Sequence, residues 1–508
     1  MSINLIEYFE DTVLKFSSKI AVIEKERKVS FGELAEKSKV LSTSILRKVN
    51  VINQPIAIYL PKSIEAIVAD IACTYSGNMY MNLDVKTPSE RIRNILDLIQ
   101  PKVIITNHQY LKNISEIIPS GMEVINLDEM EGEIDIDEAL IKSKWQSLID
   151  TDPLCIINTS GSTGTPKGVV LNHRSFQDFI ARSLESFQFS ENEMIGSLSP
   201  LVFDIYSFEL CMLMVKSSTI VIIPDGLSAF PITILKLMQE QKISFIFWVP
   251  TIMVNIANMN LFASIQLPDL KTVWFAGEVF PTKQFNYWQS HLPHTLFANL
   301  YGPIEITLDC TYYVINREIK DEEPIPIGYA YKNTDILILN DKNDKTKQGE
   351  EGELCVRGTS LAMGYYNNPE KTAAAFVQNP LNHSYPEIIY RTGDLVYVNA
   401  RGEIVFKGRK DSLIKHLGYR IELGEIEHVI VNQLKLVKNC CVVYHREKKE
   451  ITLFYEADNE LTAAEFRIAI GKELPKYMIP TVYYRLDELQ RNTNGKIDRL
   501  FYNKEINC

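Results

Sequence analysis

Six short runs of contiguous apolar residues, separated by stretches with helical periodicity, constrain this chain most. They are VINQPIAIYL (51–60), KVIITN (102–107), LCIINT (154–159), STIVIIP (218–224), ISFIFWVP (243–250) and TVWFAG (272–277). Apolar runs of this length bounded by turn residues predict buried strands. Between them, PSERIRNILDLIQ (88–100), entered through Pro88 and Ser89, and ITILKLMQEQK (232–242) predict amphipathic helices. Crossovers of that length favour parallel strands, so the class is α/β.

At 508 residues the chain exceeds what one hydrophobic core fills, which predicts at least two domains. After about residue 325 the texture shifts to shorter strands and polar turns, as in TDILILNDKNDKTKQGEEGELCVRG (334–358), and predicts a β-rich subdomain. Segment 402–430 then runs strand, charged turn and amphipathic helix in close order. We place the main boundary there. Residues 1–410 are expected to form a large N-terminal domain of layered α/β subdomains plus the β-rich one, and residues 411–508 a small α+β C-terminal domain.

A net charge of −11 opposes binding to nucleic-acid phosphates or anionic lipid. No apolar stretch approaches the roughly 18 residues a membrane span needs, and the N-terminus lacks the pattern of an export signal. The expectation is a cytoplasmic protein with no nucleic-acid or membrane partner. Eight scattered cysteines without a C-x-x-C pair read as reduced, mostly core thiols.

The most informative stretch is TSGSTGTPKGVV, Thr159 to Val170, directly behind a predicted strand. Glycines allow close backbone approach to an anion, while N–H groups and hydroxyls can surround phosphate oxygens. Lys167 adds charge. Pro166 and Gly168 stand where a Walker A loop needs Gly and Ser or Thr, so the usual P-loop does not fit. Taken alone, a flexible surface turn explains the stretch as well.

Thr159–Gly168 resembles the phosphate loop of the adenylate-forming superfamily, which includes acyl-CoA synthetases, firefly luciferase and nonribosomal-peptide adenylation domains. Further segments match in family order: FDIYSFE (203–209), FAGEVF (275–280), NLYGPIE (299–305), YRTGD (390–394), GRKDSLIKHLGYRIELGEIE (408–427) and NTNGKIDR (492–499). The layout also resembles D-alanine:carrier-protein ligases.

The resemblance assigns Thr159, Ser160, Gly161, Ser162, Thr163, Gly164 and Lys167 to the triphosphate of ATP. Tyr301 offers a ring face to adenine, and Gly302 shapes the turn that follows it. Glu305 is implied as the hard oxygen ligand of Mg2+. Asp394 is assigned to the ribose hydroxyls and Arg409 to nucleotide oxygens. In isolation, Tyr301, Glu305 and Asp394 would suit a core tyrosine, a solvated glutamate and a turn aspartate. The sequence departs from the family at Ile304, where threonine is usual, and at His416-Leu417, where Ile-Arg is usual.

Asp411 corresponds to the hinge about which the small domain rotates between the two half-reactions, and Gly418 to the glycine beside the incoming thiol arm. Lys496 corresponds to the lysine that bridges substrate carboxylate and nucleotide. The implied catalytic set is Lys496, Thr163, Glu305 and Lys167. The carboxylate attacks the α-phosphorus, pyrophosphate leaves, and a thiol then displaces AMP.

Asp204 matches the acid that binds a substrate α-ammonium, although a helix cap is the alternative for a lone aspartate after a strand. The other matched lining positions are Ile205, Phe208, Phe247, Trp274, Ala276, Gly277, Leu300, Leu308, Asp309 and Lys496. Three aromatics and three branched chains leave room for a small side chain only, and buried Asp309 needs a donor that a substrate hydroxyl would provide. This predicts serine, with alanine, D-alanine or glycine next. No condensation-type H-H-x-x-x-D-G or carrier-type L-G-G-x-S sequence occurs, so the expected acceptor is the phosphopantetheine thiol of a separate carrier protein. The competing expectations are an acyl- or aryl-CoA ligase of the same fold, and an inactive nucleotide-binding scaffold.

Overall fold

The structure is a computed structural model and describes residues 2–130, 135–160, 166–410, 413–457, 460–491 and 497–507. Each predicted apolar run contains a strand: Pro55–Ile58, Val103–Thr106, Pro153–Thr159, Thr219–Ile222, Phe245–Trp248 and Thr272–Phe275. The two predicted helices form as Ser89–Ile99 and Pro231–Glu240, the second with its proline in the first turn, where no backbone N–H is missed.

These strands divide between two large sheets. One runs, in spatial order, through Tyr329–Ala330, Thr311–Val314, Leu296–Tyr301, Thr272–Phe275, Phe245–Trp248, Met194–Ser197, Thr219–Ile222, Ile20–Glu24 and Arg27–Ser30. Its middle six strands are parallel, as the long crossovers require, and antiparallel neighbours close both edges. The other contains a parallel set from Pro153–Thr159 through Glu123–Asn126, extended antiparallel by Lys167–Asn172 and Gly364–Tyr365. A single apolar cluster joins the sheets through helices Ile64–Tyr75, His173–Ser186 and Asp204–Lys216, continuing to Trp274 and Leu300.

A third, antiparallel sheet holds Thr334–Leu339, Gly352–Gly358, Ile388–Val398, Phe376–Gln378 and Ile404–Arg409, the β-rich unit expected after residue 325. Beyond it lies a small α+β lobe. The antiparallel hairpin Leu413–His416/Tyr419–Glu422 leads into the helix Leu423–His428 and the sheet Asn439–His445, Glu450–Glu456, Val482–Leu486. This lobe has its own core, around Ile421, Ile426, Val442, Leu453, Phe466 and Met478. The chain is therefore a mixed α/β protein with a large N-terminal and a small C-terminal domain. Seven cysteines among the described residues are buried and unpaired. No helix of the described residues is long and apolar enough to cross a membrane.

Candidate active site

The site is assembled at strand ends of the two large sheets, where the hairpin of the small lobe enters. Strand Leu296–Tyr301 delivers Leu300 and Tyr301, then turns sharply at Gly302. A Cβ at Gly302 would stand 2.2 Å from the Leu308 carbonyl oxygen, so no other residue fits without moving the backbone. The returning segment is strained: Thr307 and Leu308 both have positive φ, 54° and 69°. This double reversal brings Leu308 and Asp309 back beside the strand.

Glu305, in the single turn Ile304–Ile306, is completely buried. One of its carboxylate oxygens accepts from the Tyr365 hydroxyl at 2.8 Å and the other from the Arg420 guanidinium at 2.6 Å. Burial alone would raise its pKa, but Arg420 overrides this and holds it below the ordinary glutamate value. Lys167 opens the strand Lys167–Asn172, and its ammonium pairs with Glu422 at 2.8 Å. The Ser160 hydroxyl donates to the Arg420 carbonyl at 2.7 Å and accepts from the Glu422 N–H at 3.1 Å. Thr159 Oγ1 is buried with no hydrogen-bond partner among the described residues.

Asp394 and Arg409 face each other across adjacent strands and form an ion pair at 2.5 Å. Asp394 also accepts from the Tyr301 hydroxyl, so Tyr301, Asp394 and Arg409 form one connected group. The Lys415 ammonium sits 5.8 Å from the Tyr301 ring centroid. Burial lowers the Lys415 pKa against the attraction of Asp394 and Asp309.

Alternation along the hairpin explains how one element reaches all these groups. Lys415 pairs with Arg420 and Leu413 with Glu422, so these four share a face. Ile414, His416, Tyr419 and Ile421 take the other face. Ile414 and Ile421 join the small-lobe core, and Tyr419 stacks on Tyr477 with centroids 3.6 Å apart. At the tip, Gly418 has φ 82°, its N–H donates to Glu278 at 2.7 Å, and a Cβ there would come 3.0 Å from Val249.

Asp204 is the first residue of helix Asp204–Lys216, and its carboxylate accepts from the Ile205 N–H at 2.9 Å. The N-cap of this helix is Phe203 and no side chain makes a cap hydrogen bond, so the capping alternative is not realised; Asp204 instead lies within electrostatic reach of Lys415 and Glu305. Removal from water pushes its pKa up to about 6. Ile205 and Phe208 follow on the same helix and are buried. Phe247 and Trp274 are register partners on neighbouring strands. Their rings and that of Phe208 lie 5.2–5.7 Å apart, centroid to centroid. Ala276, Leu300 and Leu308 are buried nearby in the same cluster, while Gly277 turns the chain with φ 90°. Asp309 is 4% exposed, and burial and then the Asp204 charge push its pKa well above the ordinary aspartate value.

Gly161, Ser162, Thr163, Gly164, Asp411 and Lys496 lie outside the described residues. Sequence reasoning missed Arg420, Glu422, Lys415, Glu278 and Tyr365 as site residues. The alternation in Tyr-Arg-Ile-Glu, with two charges on one face of a short strand, was the available signal.

Glu305 fits a Mg2+ that arrives with a nucleotide: it is one hard carboxylate, and among the described residues no cluster of three acidic, His or Cys groups forms a protein-only metal cage. A fully buried carboxylate, a cation at a strand edge, a carboxylate held by tyrosine and arginine, and a cluster of packed aromatic rings lie together under a hairpin from a small lobe. This is the architecture of an adenylate-forming enzyme.

Residues 9–366 match the AMP-binding enzyme family, and the chain belongs to it. It is 30% identical to zwittermicin A synthase ZmaJ of Bacillus cereus over 98% of this chain and 94% of that protein. It is also 30% identical to tyrocidine synthase 1 of Brevibacillus parabrevis over 97% of this chain, but spans only 44% of that larger protein. Among solved structures, the Vibrio cholerae adenylation domain AlmE with glycyl-adenosine-5'-phosphate superposes with TM-score 0.85, at 20% identity over 99% of this chain and 98% of that one. PA1221, a nonribosomal peptide synthetase protein with adenylation and carrier domains, gives TM-score 0.81 at 20% identity over 99% of this chain and 97% of that one.

Proposed function

We propose that this enzyme uses ATP and Mg2+ to activate a small amino acid as aminoacyl-AMP, and then loads it onto the phosphopantetheine thiol of a separate carrier protein. Serine is the favoured substrate, with alanine, D-alanine or glycine next. The observation that carries this reading is the grouping of the matched positions: Asp204 at the head of its helix, three aromatic rings packed against one another, and buried Asp309 within electrostatic reach of Asp204. A carboxylate at this matched position suits an α-ammonium, and rings packed this closely favour a small side chain over a long acyl chain. The glycyl adenylate bound to AlmE and the carrier domain joined to PA1221 support the substrate and acceptor classes.

In the first half-reaction, Lys167 and Lys496 would offset repulsion between the amino-acid carboxylate and the α-phosphate, and Asp394 would hold the ribose. Bound at Glu305, Mg2+ would supply charge neutralisation for the departing pyrophosphate. The hairpin takes up Lys167 and Glu305 with Glu422 and Arg420, groups that this step requires free. The present arrangement therefore suits the second half-reaction, after pyrophosphate has left. Gly418 lets the hairpin tip pack closely on Val249 and Phe203, at the position the resemblance puts beside the thiol arm.

ATP–pyrophosphate exchange across a panel of amino acids tests this. Exchange driven by serine or another small amino acid supports the reading. Exchange driven only by bulky amino acids or by acids lacking the α-amino group refutes it.

A further inference from the structure

Two of the lining positions recognisable from sequence, Phe208 and Trp274, belong to a closed belt of six aromatic side chains. In order around it, Phe208 lies 5.8 Å from Phe179, Phe179 5.4 Å from Tyr331, and Tyr331 4.5 Å from Tyr312, centroid to centroid. Tyr312 lies 5.5 Å from Phe187, Phe187 4.6 Å from Trp274, and Trp274 5.2 Å from Phe208, which completes the circuit. Such a belt is apolar, so each polar atom it carries must be satisfied or destabilise the fold.

Two of its own are not satisfied, nor is a third that stands beside it. Trp274 Nε1, Tyr331 Oη and Ser183 Oγ are buried with no hydrogen-bond partner among the described residues. Tyr331 is 3% exposed, and its backbone N–H donates to the carbonyl of Cys310, immediately after Asp309. Asp309 is the charged group that acts most strongly on the Tyr331 phenol. Ser183 stands one helical turn after Phe179 on helix His173–Ser186. Its hydroxyl lies close enough to Tyr331 to act on the phenol, without the geometry of a hydrogen bond. One carboxyl, two hydroxyls and one indole N–H thus lie on or against this belt, and neither the hydroxyls nor the indole has a well-formed hydrogen bond among the described residues.

We propose that Tyr331 and Ser183 are specificity-determining residues that, with Asp309, bind the side-chain hydroxyl of the activated amino acid. This rests on the amino-acid reading above and deepens it. A hydroxyl donates once and accepts twice. It can give its proton to Asp309 and accept from Tyr331, Ser183 or the Trp274 indole. A β-ammonium offers donors only and would leave the donor-only indole unsatisfied. A methyl group would leave every polar atom of the belt unpaired. Sites built to pair a substrate hydroxyl reject the analogue that lacks it far more strongly than apolar pockets reject a size difference.

The test is the serine-to-alanine ratio of kcat/KM in ATP–pyrophosphate exchange, with 2,3-diaminopropionate as a third substrate. In Tyr331→Phe the ratio is expected to fall by about tenfold or more, the equivalent of one lost hydrogen bond in a dry site. Ser183→Ala carries the same expectation at about three- to tenfold, and keeps the test open should the Tyr331 variant fail to fold. Loss of serine and alanine activity in parallel, with the ratio unchanged in both variants, assigns these residues to packing and overturns the proposal. So does wild-type preference for 2,3-diaminopropionate over serine. Wild-type enzyme that exchanges with no small amino acid overturns the parent reading instead, whatever the variants do.

Discussion

The phosphate side of the crevice and its side-chain end differ in one respect that decides how each works. On the phosphate side Lys167 has Glu422 in contact, Glu305 has Arg420, and Asp394 has Arg409, each charge meeting its opposite. At the side-chain end, Trp274, Tyr331 and Ser183 carry buried polar atoms with no hydrogen-bond partner among the described residues, and buried Asp309 has the like charge of Asp204 near it. Groups that hold different partners in successive steps need a counter-charge at each, since an isolated buried charge is expensive. A recognition pocket is the reverse case. Its unsatisfied groups are paired by one substrate and by no other.

That contrast sets a ranking of effects. The largest belongs to Glu305→Ala, which strands Arg420 in a buried place and removes the implied metal ligand. Stability is expected to drop by about 3–5 kcal/mol in denaturant titration, and pyrophosphate exchange by about 100-fold or more. Retention of either would mean that the pair is incidental.

Asp204→Asn should raise the amino-acid KM by about 10- to 100-fold, the worth of a charged hydrogen bond. It also carries a sign that a structural change would not mimic. With a native pKa of about 6 against 3.8 for the free side chain, the folded protein holds the Asp204 proton more tightly than the unfolded chain does. The cost of its charge therefore grows as pH rises from 3.8 through 6. Asn relieves that cost, so the variant is expected to melt higher than wild type at about pH 7–8, with the gap closing below about pH 4.

A smaller effect is expected of Gly302→Ala, where the new Cβ meets the Leu308 carbonyl at 2.2 Å and must push back the Thr307–Asp309 reversal. A loss of about 1–3 kcal/mol is the usual size of such overpacking. The activity loss should concentrate in amino-acid KM, because Asp309 moves with the loop. Smallest is Lys449→Ala, which removes a partly exposed ion pair with Glu278 at 3.9 Å. Thioester transfer should slow by no more than about fivefold, and exchange should be untouched.

Much of the frame was legible in the sequence. Apolar runs and crossover lengths identified the parallel strands because those signals are local. The ordered motifs pointed to Asp204, Tyr301, Glu305 and Asp394, which the fold gathers at one crevice. The partners of these groups were less legible. Arg420 meets Glu305 across 115 residues of chain, and Glu422 meets Lys167 across 255, distances over which periodicity carries no information. Tyr331 and Ser183 were missed for a related reason. Each sits in a stretch whose own pattern reads as ordinary packing, and only the closed belt reveals that their hydroxyls lack partners.

The most direct test of the account separates the two half-reactions in Arg420→Ala, a residue that touches Glu305 only when the hairpin is in the crevice. ATP–pyrophosphate exchange and transfer of the aminoacyl group from purified aminoacyl-AMP to a phosphopantetheinylated carrier protein would be timed on the same preparation. Exchange at or above the wild-type rate, with transfer slowed by about tenfold or more, is the predicted result. Transfer at full speed with exchange impaired would contradict it, and would assign the hairpin's charges to adenylate formation.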